Sequence, residues 1–234
     1  MELNADPSQF HDQYIAAQPF PHIVLDQLFS DEILDSVLAE FPGRNELDWA
    51  SFDNPREKKL GLRPGGDEDV PEDIRRFLWS MGSPPILKFL EQLTGIEGLI
   101  PDPYLGGGGL HQIERGGFLK IHSDFNWHPK LRLDRRLNLL IYLNRDWRED
   151  FGGHLELWDR EMKHTVQTIL PCFNRTVIFS TTDTSYHGHP TPLTCPAGWS
   201  RKSASFYYYT AGRPEEERSE PHDTVFRKRS EEEW

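Results

Sequence analysis

Between about Leu110 and Thr210 the sequence breaks into short β-type runs separated by turns rich in Gly, Pro, Asn and Asp, and this most limits what the chain can fold into. The runs fall at Phe118–Ser123, Arg136–Leu143, His154–Trp158, Thr165–Leu170, Thr176–Ser180 and Ser203–Thr210. Short strands separated by such turns fit a sandwich or barrel. The first third reads differently. Pro19–Phe29 holds a short apolar run that suits a first strand, and Ser30 is a good N-cap for a helix over 31–41, with Asp31 and Glu32 at its positive end. Ile33, Leu34, Val37, Leu38 and Phe41 share one face of that helix. Further helices are predicted from Pro71 to Met81 and from Pro84 to near Gly95, whereas Arg44 to Asp69 reads as loop. The chain therefore divides into an N-terminal strand with supporting helices (1–109), a β core (110–212) and a charged tail (213–234). The tail is so poor in apolar residues that disorder is expected.

The net charge of −12 over 234 residues argues against a general nucleic-acid binder, which needs a broad basic face. No apolar run reaches the length of a membrane span, and Met1–Phe10 lacks the pattern of a signal peptide. Cys172 and Cys195 form neither a CxxC pair nor a disulfide framework, so two thiols in a reducing, cytoplasmic setting are expected. The glycine run Gly106–Gly109 is followed by no Lys-Ser/Thr and is no phosphate loop.

Chemistry concentrates in the β core. His122 and Asp124 stand two apart at the end of a predicted strand, so both side chains reach one face. In a chain with ten histidines such a triplet also arises by chance, and His154-Leu-Glu156 has the same spacing. His187, in Ser-Tyr-His-Gly-His-Pro, stands between two later strands. A second His joined to a His/Asp pair makes the two-His, one-carboxylate set that favours non-haem Fe(II), with His189 as the rival third ligand. Arg201 opens the strand Arg-Lys-Ser-Ala-Ser-Phe-Tyr-Tyr-Tyr-Thr and would place a guanidinium at the barrel mouth, where it can grip a carboxylate bidentately. Each element alone is weak. The order His-x-Asp, His, Arg across successive strands is much more specific.

These residues carry a resemblance. From about His111 to Gly212 the sequence resembles the Fe(II)/2-oxoglutarate-dependent oxygenases, in particular their prolyl-hydroxylase branch. Ile141–Trp147 (IYLNRDW) is similar to a strand and turn of the hypoxia-inducible-factor prolyl hydroxylases. Phe151–Trp158 (FGGHLELW) resembles their Gly-Gly-x-Leu strand, and Pro171–Ser180 (PCFNRTVIFS) the segment before their distal His. The Pro19–Pro42 segment resembles the N-terminal strand and helix of the wider superfamily.

The resemblance implies an α+β fold with a double-stranded β-helix, jelly-roll or cupin-like, and the helices packed on one sheet. It implies His122, Asp124 and His187 as metal ligands, with His154, Glu156 and His189 at non-ligand positions. It assigns the far carboxylate of 2-oxoglutarate to Arg201 and Tyr142. The stretch between His187 and Arg201 is longer than in the hypoxia-factor enzymes, which keeps Lys202 as a substitute for Arg201. The implied cofactors are Fe(II), 2-oxoglutarate and O2, with ascorbate as reductant, and the implied reaction is C–H hydroxylation with release of succinate and CO2. An intact Asp124 favours hydroxylation, because related halogenases replace this carboxylate with a small residue. The best substrate expectation is a prolyl residue or related amino-acid moiety. Alternatives are a small molecule (free amino acid, sugar, nucleotide or lipid precursor), a cupin-type metal protein that is not an oxygenase, and a catalytically dead binding module. The segment Phe125–Arg136 joins the ligand strand to the next one. Trp127, Lys130, Arg132 and Arg136 make it a candidate basic, aromatic lip for an acidic peptide or phosphorylated small molecule. Neither nucleic acid nor membrane is expected as a partner.

Overall fold

The computed structural model describes residues 2–229 and Glu232. Its elements are α1 (His11–Ala16), β1 (His22–Asp26), α2 (Asp31–Ala39), β2 (Ala50–Asn54), β3 (Glu57–Gly61), α3 (Glu72–Ser80), α4 (Pro84–Thr94), β4 (Ile100–Pro101), β5 (Gly109–Glu114), β6 (Phe118–Ser123), β7 (Trp127–His128), β8 (Leu133–Tyr142), β9 (Leu155–Trp158), β10 (Thr165–Ile169), β11 (Arg175–Ser180), β12 (His187–His189), β13 (Ser200–Thr210) and β14 (Val225–Phe226). The strands pair antiparallel in the order β1-β11-β8-β13-β5-β3-β6-β12-β9-β10. The first five form one layer and the last four the other. β3 joins them by pairing β5 through Leu60 and Gly61 and β6 through Glu57 and Lys58. This curled double layer is the expected double-stranded β-helix.

Strand parity decides what each layer presents. On β8, Leu137, Leu139 and Ile141 face the helices and share a core with Leu34, Ile74, Phe77 and Leu90. On β13, Ala204, Phe206 and Tyr208 do the same. The alternate residues, Asn138, Leu140 and Tyr142 on β8 and Arg201, Ser203 and Ser205 on β13, face the interior between the layers. The helices of residues 1–109 thus pack on one sheet and share its core. Ser30 sits at the N-cap of α2, but its hydroxyl bonds the Glu32 carboxylate and no backbone amide. α4 stops where Gly95 turns left-handed.

Two expectations change. The predicted loop 44–69 contains the β2–β3 hairpin. Its strands lack apolar alternation, and the hairpin is ordered through β3, which pairs with β5 and β6 far away in sequence. The tail expected to be disordered is laid down along the molecule. Arg213 is buried and donates to the carbonyls of Arg135 and Thr181. Asn126 bonds Ser219, Glu220 and His222, and β14 pairs Val225 with Ser123 and Phe226 with His122. Polar bonds to a preformed sheet edge order this segment without a core of its own. Ser230, Glu231, Glu233 and Trp234 lie outside the described residues. Among the described residues both cysteines are free, and no helix is long and apolar enough to cross a membrane.

Candidate active site

A cavity of about 310 Å³ opens between the layers. His122 reaches it from β6, Asp124 from the residue after β6, and His187 from β12, whose register sets His187 opposite His122. All three are buried, and one ligand atom from each lies within 4.8 Å of the others. His122 Nε2 is 3.7 Å from Asp124 Oδ1, and His187 Nε2 is 3.6 Å from Asp124 Oδ2. The far ring nitrogens are committed elsewhere. Nδ1 of His122 donates to the Lys120 carbonyl and Nδ1 of His187 to the Ser185 carbonyl, both at 2.9 Å. That fixes the tautomer and turns both Nε2 lone pairs toward the carboxylate, the arrangement metal-ligating imidazoles adopt.

Burial pushes the His187 pKa down to about 4, so its ring is neutral at pH 7. For Asp124 burial acts in the opposite sense and would raise the pKa. Burial is the largest single influence, but the Arg135 guanidinium, 3.2 Å away, together with His187 and His122 outweighs it and holds the carboxyl well below the usual range. Asn138 Nδ2 donates to Asp124 Oδ2 at 2.7 Å, and its Oδ1 accepts from Arg135 Nε and Nη2. Arg135 itself lies 3.5 Å from the ring centre of Tyr207 and 4.3 Å from that of Phe125. Two imidazoles and one ionised carboxylate are a donor set that suits Fe(II).

Arg201 lies in the same cavity at 5 % exposure. Its Nε donates to the Gly153 carbonyl at 2.8 Å and its Nη2 to Tyr142 Oη at 3.2 Å. Among the described residues no carboxylate pairs with it. A buried guanidinium without a counter-ion is costly and demands an anion from outside the chain. Gly153 allows this close approach. It has φ +73°, and a Cβ there would lie 2.9 Å from Arg201 Cδ. Lys202 points elsewhere, with Nζ on Ser200 Oγ at 3.0 Å, so the cavity receives Arg201 and not its neighbour.

His154 turns away from the cavity to Glu149 (2.6 Å), and Glu156 accepts from Trp158 Nε1. His189 lines the cavity but stands outside the His122–Asp124–His187 cluster. Of the segment expected to form a lip, Phe125 and Arg135 line the cavity, and Trp127, Lys130, Arg132 and Arg136 do not. Trp127 pairs into β8 through β7, Lys130 lies over the Tyr104 ring at 4.1 Å, and Arg132 forms a left-handed turn. Arg136 is buried against Thr210 and Glu217. Pairing with β13 slips between Leu137 and Arg135, and this bulge reverses strand parity, so Arg135 turns inward to Asp124 beside Asn138 and Arg136 goes to the opposite face. Arg135 and Asn138 escaped the sequence reading, as did the hairpin residues Phe52 and Lys59 and the tail residues Thr224 and Phe226 that complete the wall. A polar Asn in phase with Leu140 and Tyr142 was the one signal available.

Residues 108–209 match the family model described as "2OG-Fe(II) oxygenase superfamily". No curated protein matches by sequence. Among solved structures, the fold is similar to a Pseudomonas putida prolyl-4-hydroxylase (TM-score 0.62, 16% identity, covering 88% of this chain and 100% of that one). It is similar to a prolyl hydroxylase from Trichoplax adhaerens, solved with a peptide fragment of the oxygen degradation domain of hypoxia inducible factor (0.60, 17%, 86% and 88%). It is also similar to HygX from Streptomyces hygroscopicus with nickel, 2-oxoglutarate and hygromycin B bound (0.54, 12%, 87% and 92%).

Proposed function

Over residues 108–209 this chain belongs to the 2OG-Fe(II) oxygenase superfamily, and from that premise we propose that it hydroxylates a C–H bond of its substrate, with Fe(II) held by His122, Asp124 and His187 and 2-oxoglutarate anchored by Arg201 and Tyr142. One observation carries the reading. A single cavity holds both a cluster able to ligate a divalent metal and a buried guanidinium that no carboxylate of the chain neutralises. A plain metal-binding cupin has no use for the second group, and a dead binding module has no use for the first.

Fe(II) bound there supplies oxygen activation coupled to oxidative decarboxylation of 2-oxoglutarate to succinate and CO2. The chain supplies position and charge. His122 and His187 present fixed Nε2 lone pairs, and Asp124 stays ionised beside Arg135. Arg201 fixes one end of the dicarboxylate by a charge-assisted pair, supported by the Tyr142 hydroxyl. The buried setting strengthens these contacts by excluding water. For the substrate we propose a prolyl residue or related amino-acid moiety, which the likeness in fold to the two prolyl hydroxylases supports. The small-molecule alternative has the support of HygX, whose similar fold was solved with hygromycin B.

The test is succinate release from 2-oxoglutarate with added Fe(II) and ascorbate. His122→Ala, Asp124→Ala and His187→Ala should each abolish it. Arg201→Ala should raise the KM for 2-oxoglutarate about 100-fold or more, the consequence of losing a buried charge-assisted pair. Proline-containing peptides and small molecules are then screened for a mass gain of one oxygen. Absence of succinate formation by the Fe(II)-loaded wild type with every candidate would overturn the reading.

A further inference from the structure

His189 shares a face of β12 with His187, two residues on, and its side chain enters the cavity that holds the metal-ligand cluster and Arg201. It is 3 % exposed. Among the described residues neither ring nitrogen has a hydrogen-bond partner. Three other buried histidines differ. His122, His187 and His22 each commit Nδ1 to a backbone carbonyl at 2.9 Å. An imidazole kept only for packing would be bonded in the same way, because a buried polar group without a partner costs free energy. His189 is therefore set for a partner that the chain does not contain.

The surroundings define that partner. An imidazole offers at least one N–H donor whatever its protonation state, and here that donor shares the cavity with Arg201. Lys59 is matched by Glu57 at 3.0 Å, which leaves Arg201 as the unmatched cation facing this part of the cavity. His111 adds a second buried and unpartnered nitrogen, Nε2, from β5, where its register partner Ser203 lies two residues along β13 from Arg201. Hydrogen-bond donors around one guanidinium suit a carboxylate.

We propose that His189 is a recognition residue for the cosubstrate, donating a hydrogen bond to the 2-oxoglutarate carboxylate that Arg201 holds. This rests on the reading of Arg201 given above and adds a residue to it. His189 touches neither the metal nor the reacting carbons. It selects a five-carbon dicarboxylate over a 2-oxo acid that ends in a methyl group.

Full-length protein loaded with Zn(II), which does not turn over, is titrated calorimetrically with 2-oxoglutarate and with 2-oxobutyrate, which lacks the far carboxylate. His189→Leu should raise the Kd for 2-oxoglutarate about tenfold or more, as expected for losing a hydrogen bond to a charged group. His189→Gln, which keeps a donor, should recover most of that loss. The Kd for 2-oxobutyrate should stay the same in all three proteins. A second readout needs no variant. In the wild type, 2-oxoglutarate but not 2-oxobutyrate should bring a slowly exchanging imidazole N–H resonance into view. An unchanged 2-oxoglutarate Kd in His189→Leu, an equal loss for both ligands, or no new resonance would overturn the proposal while leaving the oxygenase reading intact. Failure of the Zn(II)-loaded wild type to bind 2-oxoglutarate would overturn both.

Discussion

Asp124 holds its place through two side chains that contribute nothing to the metal directly. Asn138 donates to Asp124 Oδ2 and accepts two bonds from Arg135, while Arg135 pairs with the same oxygen. Replacing Asn138 by Leu removes the amide that links this buried guanidinium and carboxylate and leaves them only each other. Outer partners of metal ligands typically affect affinity by about 10–100-fold. Asn138→Leu should weaken Zn(II) or Fe(II) binding by about that factor in a chelator competition. With saturating metal, 2-oxoglutarate affinity should change little, because Arg201 bonds Gly153 and Tyr142 and not this trio. Unchanged metal affinity would show that Asp124 needs no such support. The triad was legible in the sequence because His-x-Asp obeys strand parity without help from a tertiary partner. Arg135 and Asn138 were not. In Asp-Arg-Arg-Leu-Asn the two arginines look alike, and only the bulge in β8 between Arg135 and Leu137 tells which one turns inward.

At the scale of elements, β12 shows why short pieces escaped. It is three residues long and gains its order from β6 on one side and β9 on the other. Its middle residue, Gly188, sits where any side chain would collide. A Cβ there would lie 2.8 Å from the carbonyl oxygens of both Leu119 and Lys120. The Lys120 carbonyl is also the acceptor that orients His122. Gly188→Ala should therefore cost about 1–3 kcal/mol of stability, as overpacking does, and weaken metal binding by rotating His122. Melting curves and metal titration read the two effects. Gly212→Ala is the control, since a Cβ there meets nothing within 4 Å, and an equal response from both variants would refute the argument. Longer elements announced themselves. α2, α3 and α4 appear near their predicted positions because an apolar stripe at helical spacing is a local signal. The β2–β3 hairpin did not, because its strands are largely polar and β3 gains its place in the sheet from β5 and β6, far away in sequence.

At the scale of the whole molecule, the two segments that composition left unstructured meet over the site. β3 covers the first part of the β6 edge and β14 the last part. Arg56, from the hairpin turn, stands 5.6 Å from the ring centre of Phe226, and that ring lies 5.5 Å from the ring of His122. Apolar content was the wrong measure for the tail. Its order comes from Arg213 on two buried carbonyls, His222 on Asp183, Arg227 N–H on the Ile121 carbonyl, and Glu232 on Lys120 at 2.7 Å. Each such bond is worth about 1 kcal/mol, and in a chain of this size about 1 kcal/mol moves the melting point by about 2–4 °C. Truncation after Gly212 should therefore lower Tm by about 5 °C or more. It should also raise self-association, because the bared end of β6 is an open strand edge. Phe226→Ala separates wall from scaffold. It keeps the β14 backbone pairing, so Tm should fall far less than on truncation, while the substrate side of the cavity loses one face. The expected signature is 2-oxoglutarate consumption that continues but is poorly matched to hydroxylated product. A truncated protein that melts with the wild type and stays monomeric would show that residues 213–229 rest on the sheet without stabilising it.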